Sequence, residues 1–161
     1  MAHHTAIYPG SFDPFTLGHL DVVERACQIF DCVIISVAKD TQKDPLFDVA
    51  TRLRLIEASV KGLPNVQVDA FDGLTVNFAK QKNAKTIVRG LRAISDFEYE
   101  FQMSQMNKTL YPEIETVYVM ASLDYTFLSS SMVKEVIRLG GNVDNLVPAC
   151  VQEALAAVTA H

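Results

Sequence analysis

The segment "DCVIISVA" (31–38) decides the fold. Its apolar residues do not alternate with polar ones, so it reads as a strand buried on both faces, the kind found in a parallel sheet covered by helices. Upstream, "LGHLDVVERACQIF" (17–30) reads as a helix with Leu20, Val23, Cys27 and Phe30 on one face, and "TAIY" (5–8) as a short strand that Pro9-Gly10 turns away. Downstream, "VATRLRLIEASV" (49–60) is a helix ended by "KGLPN", "VQVDAF" (66–71) a strand, and "LTVNFAKQKN" (74–83) a helix. "TIVRG" (86–90) is a strand that stops at glycine, and "SDFEYEFQMSQMNKTL" (95–110) a long helix begun by a Ser/Asp cap. "ETVYVMA" (115–121) is a strand, "SSSMVKEVIRLGG" (129–141) a helix with a serine start and a glycine stop, and a last helix follows Pro148. Strand and helix alternate five times. That order predicts an α/β domain spanning 1–161, with an open parallel five-stranded sheet and helices on both faces.

Composition narrows the function. The 161 residues are 49% hydrophobic and 20% charged, enough for a full core in one domain. A net charge of −5 argues against wholesale nucleic-acid binding, which needs a basic surface. The three cysteines, Cys27, Cys32 and Cys150, form no C-x-x-C motif, so free thiols in a reducing compartment are expected. "MAHHTAIYPG" has no signal-peptide core and no apolar run reaches membrane-span length, which points to the cytoplasm and to no membrane partner.

In open parallel sheets, ligands bind outside the carboxyl ends of the strands. The chemistry-bearing residues cluster there. After the first strand come Ser11, Phe12, Thr16, Gly18 and His19. Thr16 suits a helix N-cap; Gly18 and His19 then fall in the first turn, where free N–H groups and the helix dipole favour an anion. "TLGH" alone also fits a plain cap followed by a surface histidine. Arg89 and Arg92 leave the fourth strand in "RGLR", and guanidinium forks match phosphate oxygens, although two surface arginines would look the same. Lys43 follows the second strand and is a flexible point charge. Ser129, Ser130 and Ser131 exceed what one helix cap needs, and are left open between capping and phosphate binding.

In the long helix, Tyr99, Met103, Met106 and Leu110 form one apolar stripe and Phe97 and Phe101 another. Two stripes predict burial on two sides, one against the sheet and one available to another subunit. Glu100 lies between them; a carboxylate so placed is most often solvated, and here it could also accept a hydrogen bond from a ribose or an amine. G-x-S-x-G, G-x-x-x-x-G-K-[ST] and H-E-x-x-H are all missing from the sequence. The remaining inventory is a histidine, basic residues, serines and helix N-termini. It suits phosphoryl or nucleotidyl transfer by positioning and charge stabilisation, without a covalent enzyme intermediate.

"GSFDPFTLGH" resembles the T/H-x-G-H signature of the nucleotidyltransferase superfamily. "RGLRAISDFEYEFQMSQMN" (89–107) and "SSSMVKE" resemble the corresponding blocks of bacterial phosphopantetheine adenylyltransferases, and the match runs from about Ala6 to the last helix. The resemblance implies a Rossmann-like fold and the transfer of AMP from ATP to 4'-phosphopantetheine, with Mg2+, giving dephospho-coenzyme A and pyrophosphate. It implies ATP contacts at Ser11, Phe12, Gly18, His19, Gly90, Leu91, Arg92, Glu100, Tyr125, Thr126, Phe127, Leu128, Ser129, Ser130 and Ser131. It implies substrate contacts at Ser11, Lys43, Leu74, Thr75 and Arg89. His19 would stabilise the transition state with Thr16, Lys43 and Arg92; magnesium would be held through ATP phosphates and not by protein ligands. A homohexamer and feedback inhibition by coenzyme A are further implications. Ser11 stands where threonine is commoner and keeps the hydroxyl.

Overall fold

The computed structural model describes residues 4–40 and 44–159, with the backbone alone at Ile94 and Ser95. Strands β1 (Thr5–Gly10), β2 (Cys32–Ala38), β3 (Val66–Phe71), β4 (Thr86–Leu91) and β5 (Glu115–Met120) form one parallel sheet in the order β3-β2-β1-β4-β5. Helices α1 (Leu17–Ala26), α2 (Val49–Ser59), α3 (Thr75–Gln81) and α4 (Ile94–Leu110) connect successive strands. A 3-10 turn (Leu123–Tyr125), α5 (Ser130–Arg138) and α6 (Ala149–Thr159) follow β5.

The reading of residues 31–38 holds. β2 pairs with β1 on one side and β3 on the other, and Cys32 to Val37 are all buried. Alternation sends successive side chains to opposite faces. Ala6, Val33, Ile35, Val37 and Val88 pack with Val23 of α1, Ile56 of α2, Val133 of α5 and Leu155 of α6. Ile7, Ile34 and Ile87 pack on the other face with Phe78 and Ala79 of α3. Each buried valine, leucine, isoleucine or phenylalanine side chain among these contributes about 1.5–3 kcal/mol relative to exposure.

The sheet order reverses between β1 and β4. Here the first strand departs from expectation: it continues through Pro9 and Gly10, which stay in register with Ser36 and Val37 of β2. Pairing to β4 covers only Ala6 and Ile7, so the strands part beyond that point and the missing N–H of Pro9 interrupts no ladder. The Pro9 carbonyl instead accepts from Arg89 Nη1 at 2.9 Å. A crevice opens at this switch point, where ligands bind in such sheets.

Other boundaries also shift. α1 stops at Ala26, not at Phe30, because the Asn65 side-chain amide takes the Cys27 and Phe30 carbonyls and turns the chain into β2. β4 runs on to Leu91, which leaves Gly90 inside the strand, opposite Val119. α4 has Ala93 and no side chain at its cap; Asp96 lies in its first turn and bonds Arg92 Nε at 3.2 Å. Neither apolar stripe of α4 meets the sheet: Phe97, Tyr99, Phe101, Met103, Met106 and Leu110 are all exposed. The helix sits against α3 and the edge strand β5, so its flanks overhang the body. α5 ends at Arg138 in a Schellman motif. Gly140 at φ +77° donates to Ile137 O, and Gly141 to Val136 O.

Candidate active site

The loop after β1 is held from beneath. Buried Asp13 accepts the backbone N–H groups of Leu46 (2.7 Å) and Phe47 (2.9 Å). Buried Arg52 of α2 donates to Ser11 O (2.8 Å), Ala38 O (3.2 Å) and Phe47 O (3.1 Å). These two charged groups fasten the loops after β1 and β2 to one another. Phe12 takes a left-handed φ of +50°, which tucks its ring into the core under the loop. A Cβ on Gly10 would lie 3.0 Å from that ring, so the neighbouring residue is glycine.

Thr16 is the α1 N-cap and forms a capping box with His19. The Thr16 hydroxyl accepts from His19 N–H at 3.3 Å, and the Thr16 N–H donates to His19 Nδ1 at 3.0 Å. A backbone N–H can only donate, so Nδ1 carries the lone pair and the imidazole proton sits on Nε2. The ring stacks on Phe15 (centroids 5.5 Å apart) and meets the edge of Phe12 (5.0 Å). Burial, reinforced by Arg92 and Arg89, pushes the His19 pKa down to about 3. His19 is therefore a neutral donor, fixed in one tautomer. The helix N-terminus itself offers less than its sequence suggests. Leu17 N–H is taken by Leu146 O and His19 N–H by Thr16, which leaves the Gly18 N–H without a protein partner among the described residues.

On the facing strand, Arg89 lies against Glu100 of α4. Its Nε and Nη2 reach the carboxylate at 2.9 and 2.6 Å. Glu100 is thus a buried partner of Arg89, not a solvated carboxylate. Gly90 leaves room for α1: a Cβ there would stand 3.1 Å from Val22 Cγ2. Arg92 Nη1 donates to Leu128 O at 3.1 Å and draws the serine loop to the strand end. Of the three serines, Ser129 caps α5 by accepting from Met132 N–H (3.1 Å), and Ser130 donates to Pro14 O (2.8 Å). The hydroxyl of exposed Ser131 makes no protein hydrogen bond among the described residues.

Two clefts result. The first, about 450 Å³, brings together Ser11, Phe12, Thr16, Gly18, His19, Arg89, Gly90, Arg92, Glu100, Tyr125 and Leu128 to Ser131. The second, about 400 Å³, shares Pro9, Gly10, Ser11, Arg89, Tyr99 and Glu100 with it and adds Thr75, Met103 and Asn107. Leu91 is buried, Leu74 is exposed at the α3 cap, and Thr126 and Phe127 are exposed; these four line neither cleft. Lys43 lies outside the described residues. Tyr8, Val22, Asp96 and Tyr99 also line the first cleft, and sequence reading does not find them there. Tyr99 reads as part of an apolar stripe, and Tyr8 as a strand residue; no local pattern marks either.

A prediction follows from the His19 environment. Its folded pKa lies below the ordinary value, so the neutral ring supports the fold fully above pH 6.5 and loses that contribution as pH falls toward 3. The imidazole resonances should show no titration between pH 5 and 8 by NMR. An inflection near 6.5 would mean the ring is solvated and charged in that range.

A crevice at the switch point of an open parallel sheet, lined by His19, Arg89, Arg92 and the Ser129–Ser131 segment, marks a ligand-binding α/β domain of the doubly wound kind. Residues 7–136 match the cytidylyltransferase-like family model. A phosphopantetheine adenylyltransferase of Thermosynechococcus vestitus is 55% identical over 152 residues, 94% of this chain and 90% of that protein. One from a Nostoc species is 59% identical over 143 residues, 89% of this chain and 75% of that protein. Among solved structures, Plasmodium falciparum nicotinic acid mononucleotide adenylyltransferase complexed with NaAD superposes with a TM-score of 0.70 at 12% identity, over 97% of this chain and 96% of that one, a likeness of fold. The chain belongs to the cytidylyltransferase-like family and, within it, to the phosphopantetheine adenylyltransferases.

Proposed function

We propose that the protein transfers AMP from ATP to 4'-phosphopantetheine, giving dephospho-coenzyme A and pyrophosphate. The observation that carries this reading is the meeting of two clefts at Gly10, Ser11 and Arg89: one would hold the nucleotide and the other the acceptor. An acceptor phosphate at that junction can attack the α-phosphate in line. Both reactants are anions, and fixing them together supplies on the order of 7–11 kcal/mol of a barrier. His19 Nε2–H and the Gly18 N–H would donate to the α-phosphate as charge grows on it. Arg89, with donors left beyond those spent on Glu100 and Pro9, would hold the attacking phosphate; Lys43 is proposed to assist. Arg92 and the Ser129–Ser131 segment would hold the leaving pyrophosphate. No base is required, because a phosphate is already ionised at neutral pH.

Among the described residues, no group of three His, Cys, Asp or Glu side chains could hold a metal ion. The cleft carboxylates Asp96 and Glu100 are each paired with an arginine. The site therefore fits a magnesium ion held by the triphosphate and water. Such an ion would offset phosphate charge.

The test is pyrophosphate release with 4'-phosphopantetheine and, separately, nicotinate mononucleotide as acceptor. Release with the first alone is expected; release with the second alone would reassign the acceptor. We extend the reading to a homohexamer, supported by the exposed apolar flanks of α4, which are larger than isolated surface residues need. Solution mass should be six times the 17.8 kDa chain. Coenzyme A, which contains the product, is the expected feedback inhibitor. No described helix is long and apolar enough to cross a membrane.

A further inference from the structure

We infer that the Tyr8 hydroxyl is a further phosphate ligand of the nucleotide cleft: its ring is buried, and its hydroxyl, without a protein partner among the described residues, opens into the cleft and donates to a phosphoryl oxygen beside His19 Nε2. This rests on the reading of the first cleft as the ATP site.

Tyr8 is 5% exposed, and it lines the first cleft. Its ring lies in the core on the α1 face of the sheet, edge-on to Phe12 at 5.2 Å and 6.4 Å from the His19 ring. The hydroxyl extends over Gly90, where a Cβ would stand 3.9 Å from it. Every fully buried side-chain nitrogen or oxygen among the described residues has a hydrogen-bond partner, so this unpartnered hydroxyl lies at the cleft surface, where a ligand can reach it. Among the described residues, none accepts from this one. The nearby carboxylates are engaged elsewhere: Glu100 by Arg89, Asp96 by Arg92, and Asp21 by Ser122 and Arg25.

The surroundings specify what the hydroxyl would bind. Arg89 and Arg92 make the field around it positive, while burial holds the phenol well above its ordinary pKa, so it remains a donor at any working pH. A neutral donor beside two guanidiniums and the Nε2–H of His19 calls for an anionic acceptor. A phosphoryl oxygen meets that requirement, and a ribose hydroxyl does not. Packing alone would be served as well by phenylalanine.

Tyr8→Phe removes one oxygen and keeps the buried ring, so the variant should fold with an unchanged melting midpoint. Titration calorimetry with α,β-methylene-ATP should show affinity reduced about tenfold, the scale of a hydrogen bond to a charged group, with adenosine binding unchanged. Turnover with ATP and phosphopantetheine should fall by a similar factor. Unchanged affinity for the analogue would overturn the assignment. An equal loss for adenosine would also overturn it, by placing the hydroxyl on the nucleoside. If the wild-type protein bound the analogue but transferred nothing to phosphopantetheine, the proposed acceptor would fall, and calorimetry would still decide the role of Tyr8.

Discussion

Replacing His19 by alanine is expected to cut turnover by about 100-fold or more, the scale of removing one donor aimed at a developing oxyanion. The ring is held on three sides before substrate arrives. Thr16 N–H fixes Nδ1, Phe15 stacks on one face, and Phe12 closes an edge. The remaining donor, Nε2–H, is thus preorganised and needs no reorientation during reaction. The neutral state matters equally: an imidazolium would be attracted to the bound triphosphate before any reaction. A neutral donor discriminates more in favour of charge that grows during reaction.

The alanine variant also loses half of the capping box, which costs about 1 kcal/mol. His19→Gln separates the two effects, because glutamine at the same position can accept the Thr16 N–H and restore the box. Its melting midpoint should return to the wild-type value. Its turnover should stay far below wild type, since a flexible amide replaces a clamped ring. Near-normal turnover in His19→Ala would remove His19 from the chemistry.

The elements legible in sequence are those set by local chemistry. The unalternating run at 31–38 announces a strand covered on both faces, and Thr16 and Ser129 each cap a helix as their residue types suggest. Residues whose roles depend on distant partners were not legible. Arg52 looks like any polar residue of a helix, and only the approach of residues 11, 38 and 47 makes it a buried clamp. Glu100 reads as solvated because its partner is eleven residues away on a strand. Pro9 reads as a turn because the sequence cannot say that β4 has already parted from β1 there. The two-striped helix is correctly read as apolar on two sides. That neither stripe meets the sheet is tertiary information.

The same long-range pairing governs the second large effect, at Arg89. Reading Arg89 as a phosphate ligand alone predicts weaker phosphopantetheine binding in Arg89→Ala and little else. The structure adds a stability cost. Glu100 is 7% exposed and accepts its ion pair from Arg89, so removing the guanidinium strands a buried carboxylate. Breaking such a pair costs about 3–5 kcal/mol. The Arg89 side chain keeps 33% of its surface open to the clefts, and water entering there would hold the loss near the lower limit. Arg89→Ala should therefore melt markedly below wild type and bind phosphopantetheine poorly, and its activity alone cannot separate the two losses. The double variant Arg89→Met with Glu100→Gln can. Methionine keeps much of the stem volume, and glutamine removes the stranded charge, so much of the stability should return. Phosphopantetheine affinity should not, because neither replacement offers a cation to the acceptor phosphate. Calorimetric affinity restored along with stability would show that Arg89 serves the fold and not the substrate. Stability restored without affinity would assign it both tasks: one edge of the fork to Glu100, the rest to the phosphate.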